Sequence, residues 1–283
     1  MTPAPTPDEI RAYQREAWDK SSSGWKKWDE FMMDFLRPMG DAIVAALTPG
    51  ASDRILDVAT GTGEPGLTLA ARAPQGEVVG TDLSEGMLRI AQANAAAKGL
   101  RNFRTQPADV CALPFPDATF DSVSCRMGFM FFPDMALAAR EMSRVLKPGG
   151  RFATTVWAPK EHNPWMAILV GAVSRILELP PPDPNAPGMF RCAAPGKLRA
   201  LLEGAGFKEI AERQVGGQVV YGSADHYWSI MTEVSGSAAA LLAKADPAKR
   251  ELIRQDLYAQ IAKHAPFGPV RFEYGAILAT ARK

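Results

Sequence analysis

Several things are scarce in this sequence, and each scarcity narrows what the protein can be. Cysteine occurs only at 111, 125 and 192, with no C-x-x-C pair. That argues against a disulfide framework or a zinc knuckle and leaves small buried thiols in a reducing compartment. Histidine occurs only at 162, 226 and 264. No two of these stand four residues apart, so no metal site is expected. Charge of one sign is also lacking: 32 Lys and Arg face 31 Asp and Glu, a net +1. Nothing global therefore draws the chain to nucleic acid or to an anionic membrane. No run reaches the roughly 18 apolar residues of a membrane span; the nearest, MGFMFFPDMALAA, is broken by Pro133 and Asp134. The opening MTPAPTPDEI has neither the basic nor the apolar part of a signal peptide. The expectation is a cytoplasmic protein with no stable membrane insertion, monomeric or homodimeric, acting on a small molecule.

With 283 residues, 47% of them hydrophobic, the chain can build an ample core in one or two domains. Residues 1–9 read as a disordered Pro/Thr-rich tail and 10–48 as an N-terminal helical lid. That lid carries Trp18, Trp25 and Trp28, is interrupted by Ser21–Gly24, and is ended or kinked at Pro38. Strands and helices then alternate. Strands are expected at 55–59, 77–81, 102–106, 120–125 and 151–157. Helices are expected at 66–73, from a Ser84 cap to Lys98, and from Asp134 to Leu146, the last stopped by Pro148-Gly149-Gly150. This alternation implies βαβ units and a parallel sheet covered on both faces. Pro195 opens a later helix, and Gly206 closes it before a strand from Phe207. A helix begins at Asp246-Pro247 with Leu252, Leu257 and Ile261 on one face, and Val270–Thr280 is the final strand. The core is assigned to 49–216 and 267–283, with 217–266 as a helical substrate-side insertion.

The sharpest local feature is RILDVATGTGEPGLTLA, a strand, a glycine turn and a helix. Gly61 and Gly63 let backbone approach a ligand where a Cβ would collide, and the helix presents free N–H groups. Asp82, 19 residues after Gly63, ends the second strand, where a carboxylate accepts both hydroxyls of a ribose. Gly61, Gly63 and Gly66 also spell the dinucleotide fingerprint, so an NAD(P)-dependent oxidoreductase is a rival. Against it, the negative charge of Asp57 suits the ammonium of an amino-acid-bearing nucleoside better than a pyrophosphate. Asp109, after the third strand, stands near where an adenine amino group would lie.

These segments, together with VVGTDLSEGML, PADVCALPFPDATFDSV and REMSRVLKPGGRF, resemble the class I S-adenosylmethionine-dependent methyltransferases, in particular the ubiquinone/menaquinone type, over about residues 50–157. The resemblance implies a doubly wound α/β fold: a mostly parallel seven-stranded sheet with the last strand antiparallel, N-terminal helices and a helical insertion before the last strand. It implies S-adenosylmethionine as cofactor, with Asp57 anchoring the methionine amino group directly or through water and Ala59, Gly61 and Gly63 lining methionine and ribose. Asp82 would bind the ribose hydroxyls, Leu83 and Met87 would flank the adenine, and Asp109 and Val110 would lie at the adenine edge. Arg126 would meet the methionine end. The stretch CRMGFMFFPD and the long C-terminal half depart from the quinone-methylating pattern.

Methyl transfer from an activated sulfonium needs orientation more than a catalytic constellation, and no general base is identified. His162 and His226 are the candidates, each with an ordinary structural role as the alternative. Trp25, Phe129, Phe132, Arg191 and Tyr227 are the candidate substrate contacts, with packing as their alternative. The abundance of Trp, Phe, Met and Tyr in 10–35, 126–133, 158–191 and 217–266 points to a small, largely apolar or aromatic acceptor. A non-catalytic S-adenosylmethionine-binding regulatory protein on the same scaffold is the reading outside enzymology.

Overall fold

The computed structural model describes residues 5–181, 183–243, 245–265 and 267–283; residues 1–4 of the expected tail lie outside the described residues. Strands β1 (Arg54–Val58) and β2 (Glu77–Asp82) are short and buried almost throughout, as befits parallel strands covered on both faces. They join β3 (Phe103–Pro107), β4 (Phe120–Arg126), β5 (Leu146–Trp157), β6 (Lys208–Tyr221) and β7 (Val270–Arg282) in one sheet. Its order is β3-β2-β1-β4-β5-β7-β6. The first five strands run parallel, and β7 runs antiparallel to both β5 and β6. The order reverses between β1 and β4, which opens a crevice at their C-terminal ends.

Helices α1 (Pro7–Lys27) and α2 (Asp29–Leu47) precede the sheet; α3 (Gly66–Arg72), α4 (Glu85–Ala97) and α5 (Met135–Val145) form the crossovers. The remaining helices are α6 (Pro164–Ile176), α7 (Lys197–Gly204), α8 (Ala224–Val234), α9 (Gly236–Ala243) and α10 (Pro247–His264). Phe35 of α2 meets Trp157, Trp165 and Tyr274 with ring centroids 5.8, 5.1 and 5.0 Å away, fixing α2 against β5, α6 and β7.

The structure differs from the sequence expectations where local signals met tertiary packing. Helix α1 starts at Pro7, with Thr6 and Glu9 forming a reciprocal capping box, so residues 7–9 are helical rather than tail. Ser21–Gly24 lie within α1: Gly24 packs so closely on α8 that a Cβ there would stand 2.2 Å from the Glu233 carbonyl oxygen. Pro38 sits inside α2 without ending it. Pro148-Gly149-Gly150 belong to β5, since α5 has already ended at Val145. Helix α7 begins at Lys197 behind a left-handed Gly196, two residues after Pro195. Residues 217–221 continue β6, so the helical segment starts at Ala224. The buried stripe of α10 is Ile253, Leu257 and Ile261, while Leu252 is 53% exposed.

Candidate cofactor and acceptor site

The loop between β1 and α3 is held from behind by Asp57. This carboxylate is fully buried. It accepts from the Thr60 hydroxyl at 2.6 Å and the Gly66 amide at 3.2 Å on Oδ2, and from the Ser124 hydroxyl at 2.6 Å on Oδ1. Burial outweighs these hydrogen bonds and pushes its pKa up to about 6. Asp57, expected to anchor the methionine amino group directly or through water, ties loop to sheet and is not among the residues that line the cavity. Gly66 is needed for packing, because a Cβ there would stand 2.8 Å from the Phe103 ring and 2.9 Å from Asp57 Oδ2. Gly61 is the opposite case. Its φ is +57° and nothing lies within 4 Å of where its Cβ would be, leaving its face open to the cavity.

Asp82 closes the other side of the crevice. Its Oδ2 accepts from the Gly61 amide and its Oδ1 from the Ser84 amide, each at 3.0 Å. Burial raises its pKa. A carboxylate so oriented keeps lone pairs for two ribose hydroxyls. Leu83, Met87, Ala108 and Val110 extend this wall, whereas Asp109 is turned away from it: its Oδ1 accepts from the Cys111 amide at 2.9 Å and its Oδ2 pairs with Arg11 Nε at 2.6 Å. Gly63 also lies outside the wall, with φ +118° and no room for a side chain: a Cβ there would stand 2.8 Å from Leu67 Cδ1.

The cavity measures about 280 Å³. Its floor is the glycine loop and Asp82, and α1 covers it through Tyr13, Gln14, Ala17 and Trp18. Asp19 of α1 accepts from the Ser84 hydroxyl at 2.6 Å and the Gly86 amide at 2.9 Å, so the covering helix also caps α4. Beyond Arg126 the wall turns apolar, with Trp25, Met32, Phe35, Trp157, Trp165 and Met231.

A family described as a methyltransferase domain matches residues 55–150. The demethylmenaquinone methyltransferase of Thermus thermophilus is 43% identical over 168 residues, covering 56% of this chain and 75% of that protein. The chain belongs to the class I S-adenosylmethionine-dependent methyltransferases of the menaquinone/ubiquinone type. The corresponding protein of Deinococcus radiodurans is 45% identical over 123 residues, 44% of this chain, and the chain spans about half, 48%, of its length. The similarity to nocamycin O-methyltransferase of Saccharothrix syringae runs further, at 28% identity over 269 residues, 90% of this chain and 94% of that protein. The crystal structure of the YcgJ protein from Bacillus subtilis shares the fold, with a TM-score of 0.56 at 24% identity, covering 87% of this chain and 98% of that one.

S-adenosylmethionine is the cofactor of this methyltransferase, and the crevice fits it. Gly61 offers the open face a ribose needs, Asp82 offers the acceptor, and Thr62, buried within the loop, lines the cavity. Of the residues expected at the cofactor, Ala59, Gly61, Asp82, Leu83, Met87, Val110 and Arg126 line the cavity, and Asp57, Gly63 and Asp109 do not. With the family shown, the dinucleotide alternative is not favoured.

At the acceptor end, Trp25 and Phe132 stand in the wall. Phe129 is fully buried beneath it. Arg191 is committed to the Phe132 carbonyl, with Nη1 donating at 2.5 Å, and the Tyr227 hydroxyl donates to the Trp165 carbonyl. None of these three borders the cavity. His162 is exposed on the turn after β5. His226 accepts from the Gly222 amide at 3.0 Å and packs on Trp28 and Phe31. Neither histidine lines the methyltransferase's cavity. Trp165, Met166 and Met231 in the wall come from the Trp-, Phe-, Met- and Tyr-rich stretches 158–191 and 217–266 expected to build the acceptor pocket. Trp157 lies outside those stretches, and its only sequence signal is a large apolar side chain at a strand end, the pattern of ordinary core.

Proposed function

We propose that this methyltransferase acts in the cytoplasm, as a monomer or homodimer without a nucleic-acid partner, on a small, largely apolar or aromatic acceptor. The observation that carries this is the continuity of one cavity from Asp82 and Gly61 to Trp157, Trp165 and Met166. An apolar acceptor is desolvated in such a wall and held beside the cofactor's sulfur end. S-adenosylmethionine supplies the activated methyl group. The chain's residues orient the two partners: Asp82 and Gly61 fix the ribose, Leu83, Met87 and Val110 sandwich the base, and the aromatic wall aligns the acceptor and excludes water. Relatives named for demethylmenaquinone and nocamycin make quinol-type and oxygen acceptors the first to try. Among the described residues, no helix is long and apolar enough to cross a membrane.

The test is calorimetry with S-adenosylhomocysteine followed by labelled-methyl transfer to a panel of reduced quinones, phenols and apolar carboxylic acids. Transfer to a member of the panel is expected. Binding without turnover across the panel would point instead to a non-catalytic regulatory protein, and no binding would sink the cofactor assignment.

A further inference from the structure

We infer that the indole N–H of Trp157 orients the acceptor, donating to an oxygen carried on the acceptor's apolar or aromatic body. The inference rests on the methyltransferase reading and deepens it, because it names the chemistry by which the acceptor is picked out and the residue that does so.

Trp157 is the last residue of β5, two beyond Thr155, which pairs with Arg126 at the end of β4. That is the C-terminal edge of the sheet, where doubly wound folds hold their ligands. The indole is 4% exposed and borders the cavity. A buried indole N–H usually has a partner. The other indoles of the wall obey this: Trp18 donates to Gln14 Oε1 at 3.1 Å, Trp25 to the Val234 carbonyl at 2.9 Å and Trp165 to Asn163 Oδ1 at 3.1 Å. Among the described residues, Trp157 Nε1 donates to nothing. Nor is it one of the polar atoms sealed within the protein, and the space that its ring borders is the cavity.

The ring is held in place. Phe35 stacks on it with centroids 5.8 Å apart and planes 26° apart, and Trp165 and Tyr274 meet it edge-on at 5.1 and 6.3 Å. A donor fixed before the ligand arrives costs little further ordering when the bond forms. In an apolar wall such a donor also selects. A ligand with a carbonyl or hydroxyl oxygen satisfies it, whereas a bare hydrocarbon leaves the N–H desolvated and unpaired.

A matched pair of probes isolates this bond: menadione, a naphthoquinone, and 2-methylnaphthalene, the same skeleton without its oxygens. Each is titrated by calorimetry into the complex of the protein with S-adenosylhomocysteine. The wild type should prefer menadione. Trp157→Phe keeps an aromatic plate and removes the donor, so it should narrow that preference about three- to tenfold, the range of one neutral hydrogen bond. Unchanged affinity for S-adenosylhomocysteine certifies that the variant is folded. The infrared carbonyl band of bound menadione, lowered by the hydrogen bond in the wild type, should move back up in the variant. Equal losses for both probes, or none for either, overturn the assignment and leave Trp157 a packing residue. A wild-type carbonyl band at its unbonded position overturns it without any variant, as does a wild type that binds S-adenosylhomocysteine but not menadione. A wild type that does not bind S-adenosylhomocysteine overturns the methyltransferase reading itself, and this assignment with it.

Discussion

The Gly61 amide donates to Asp82 Oδ2 at 3.0 Å, so one carboxylate both shapes the glycine turn and faces the ligand. Asp82→Ala removes both functions. It is expected to weaken S-adenosylhomocysteine by roughly 1–3 kcal/mol in calorimetry, from loss of a charged hydrogen-bond acceptor. Asp82→Asn, which keeps the shape, should lose less. Unchanged affinity in Asp82→Ala would remove this residue from the site.

The two glycines that flank the turn should fail differently. In Gly66→Ala the new methyl meets Phe103 and Asp57 at under 3 Å, so urea unfolding should show a loss of roughly 1–3 kcal/mol from overpacking. Gly61→Ala has open space and a strained φ of +57°. Its stability should fall by about 1 kcal/mol, while its methyl intrudes on the ligand and cofactor affinity falls further. The reverse ranking of the two stabilities would contradict this division.

Asp57 gives a pH signature. Folding raises its pKa from 3.8 to about 6. Between these values the folded chain holds a proton that the unfolded chain has released. Its stabilising contribution is therefore full at about pH 4 and is lost as pH rises through about 6, by up to about 3 kcal/mol. Asp57→Asn should lack this component, so the stability difference between wild type and variant should shrink from pH 4 to pH 7 in urea titrations. Parallel curves would show that the carboxyl titrates normally.

Neither histidine once weighed as a base reaches the cavity. His162→Ala and His226→Ala should each keep kcat within about twofold, against the 10²–10⁴-fold loss typical of a missing general base. A hundredfold fall in steady-state rate for either would restore it to the mechanism.

Much of this was legible in the chain. The order of β1, glycine turn, α3, β2 and Asp82 is local, and each part carries its own turn or cap signal, so fold and cofactor crevice followed together. What could not be read was direction. Ala108 and Val110 face the cavity, and Asp109 between them faces Arg11. Asp109 caps the short helical turn Val110–Ala112 and accepts from the Cys111 amide, and the sequence does not state which way such a cap will turn. Asp57 was expected at the methionine amino group, but which side of the loop it serves depends on Ser124, 67 residues away. Leu252 and Ile253 compete for the same stripe of α10, and packing chooses Ile253. Ser21–Gly24 looked like a break because small residues end helices in isolation; here they make room for α8.

That room has a consequence for traffic through the enzyme. With Gly24 against the Glu233 backbone, Trp25 Nε1 donating to the Val234 carbonyl at 2.9 Å, and Lys27 and Trp28 both bonded to the Glu233 carboxylate, α1 and α8 are clasped across some 200 residues of chain. One covers the adenosine end and the other the acceptor end, so they form a single shutter. Movement of α1 away from the cavity is therefore expected to carry α8 with it. Hydrogen exchange should show residues 12–28 and 224–236 gaining protection together when S-adenosylhomocysteine binds; protection confined to α1 would separate the two.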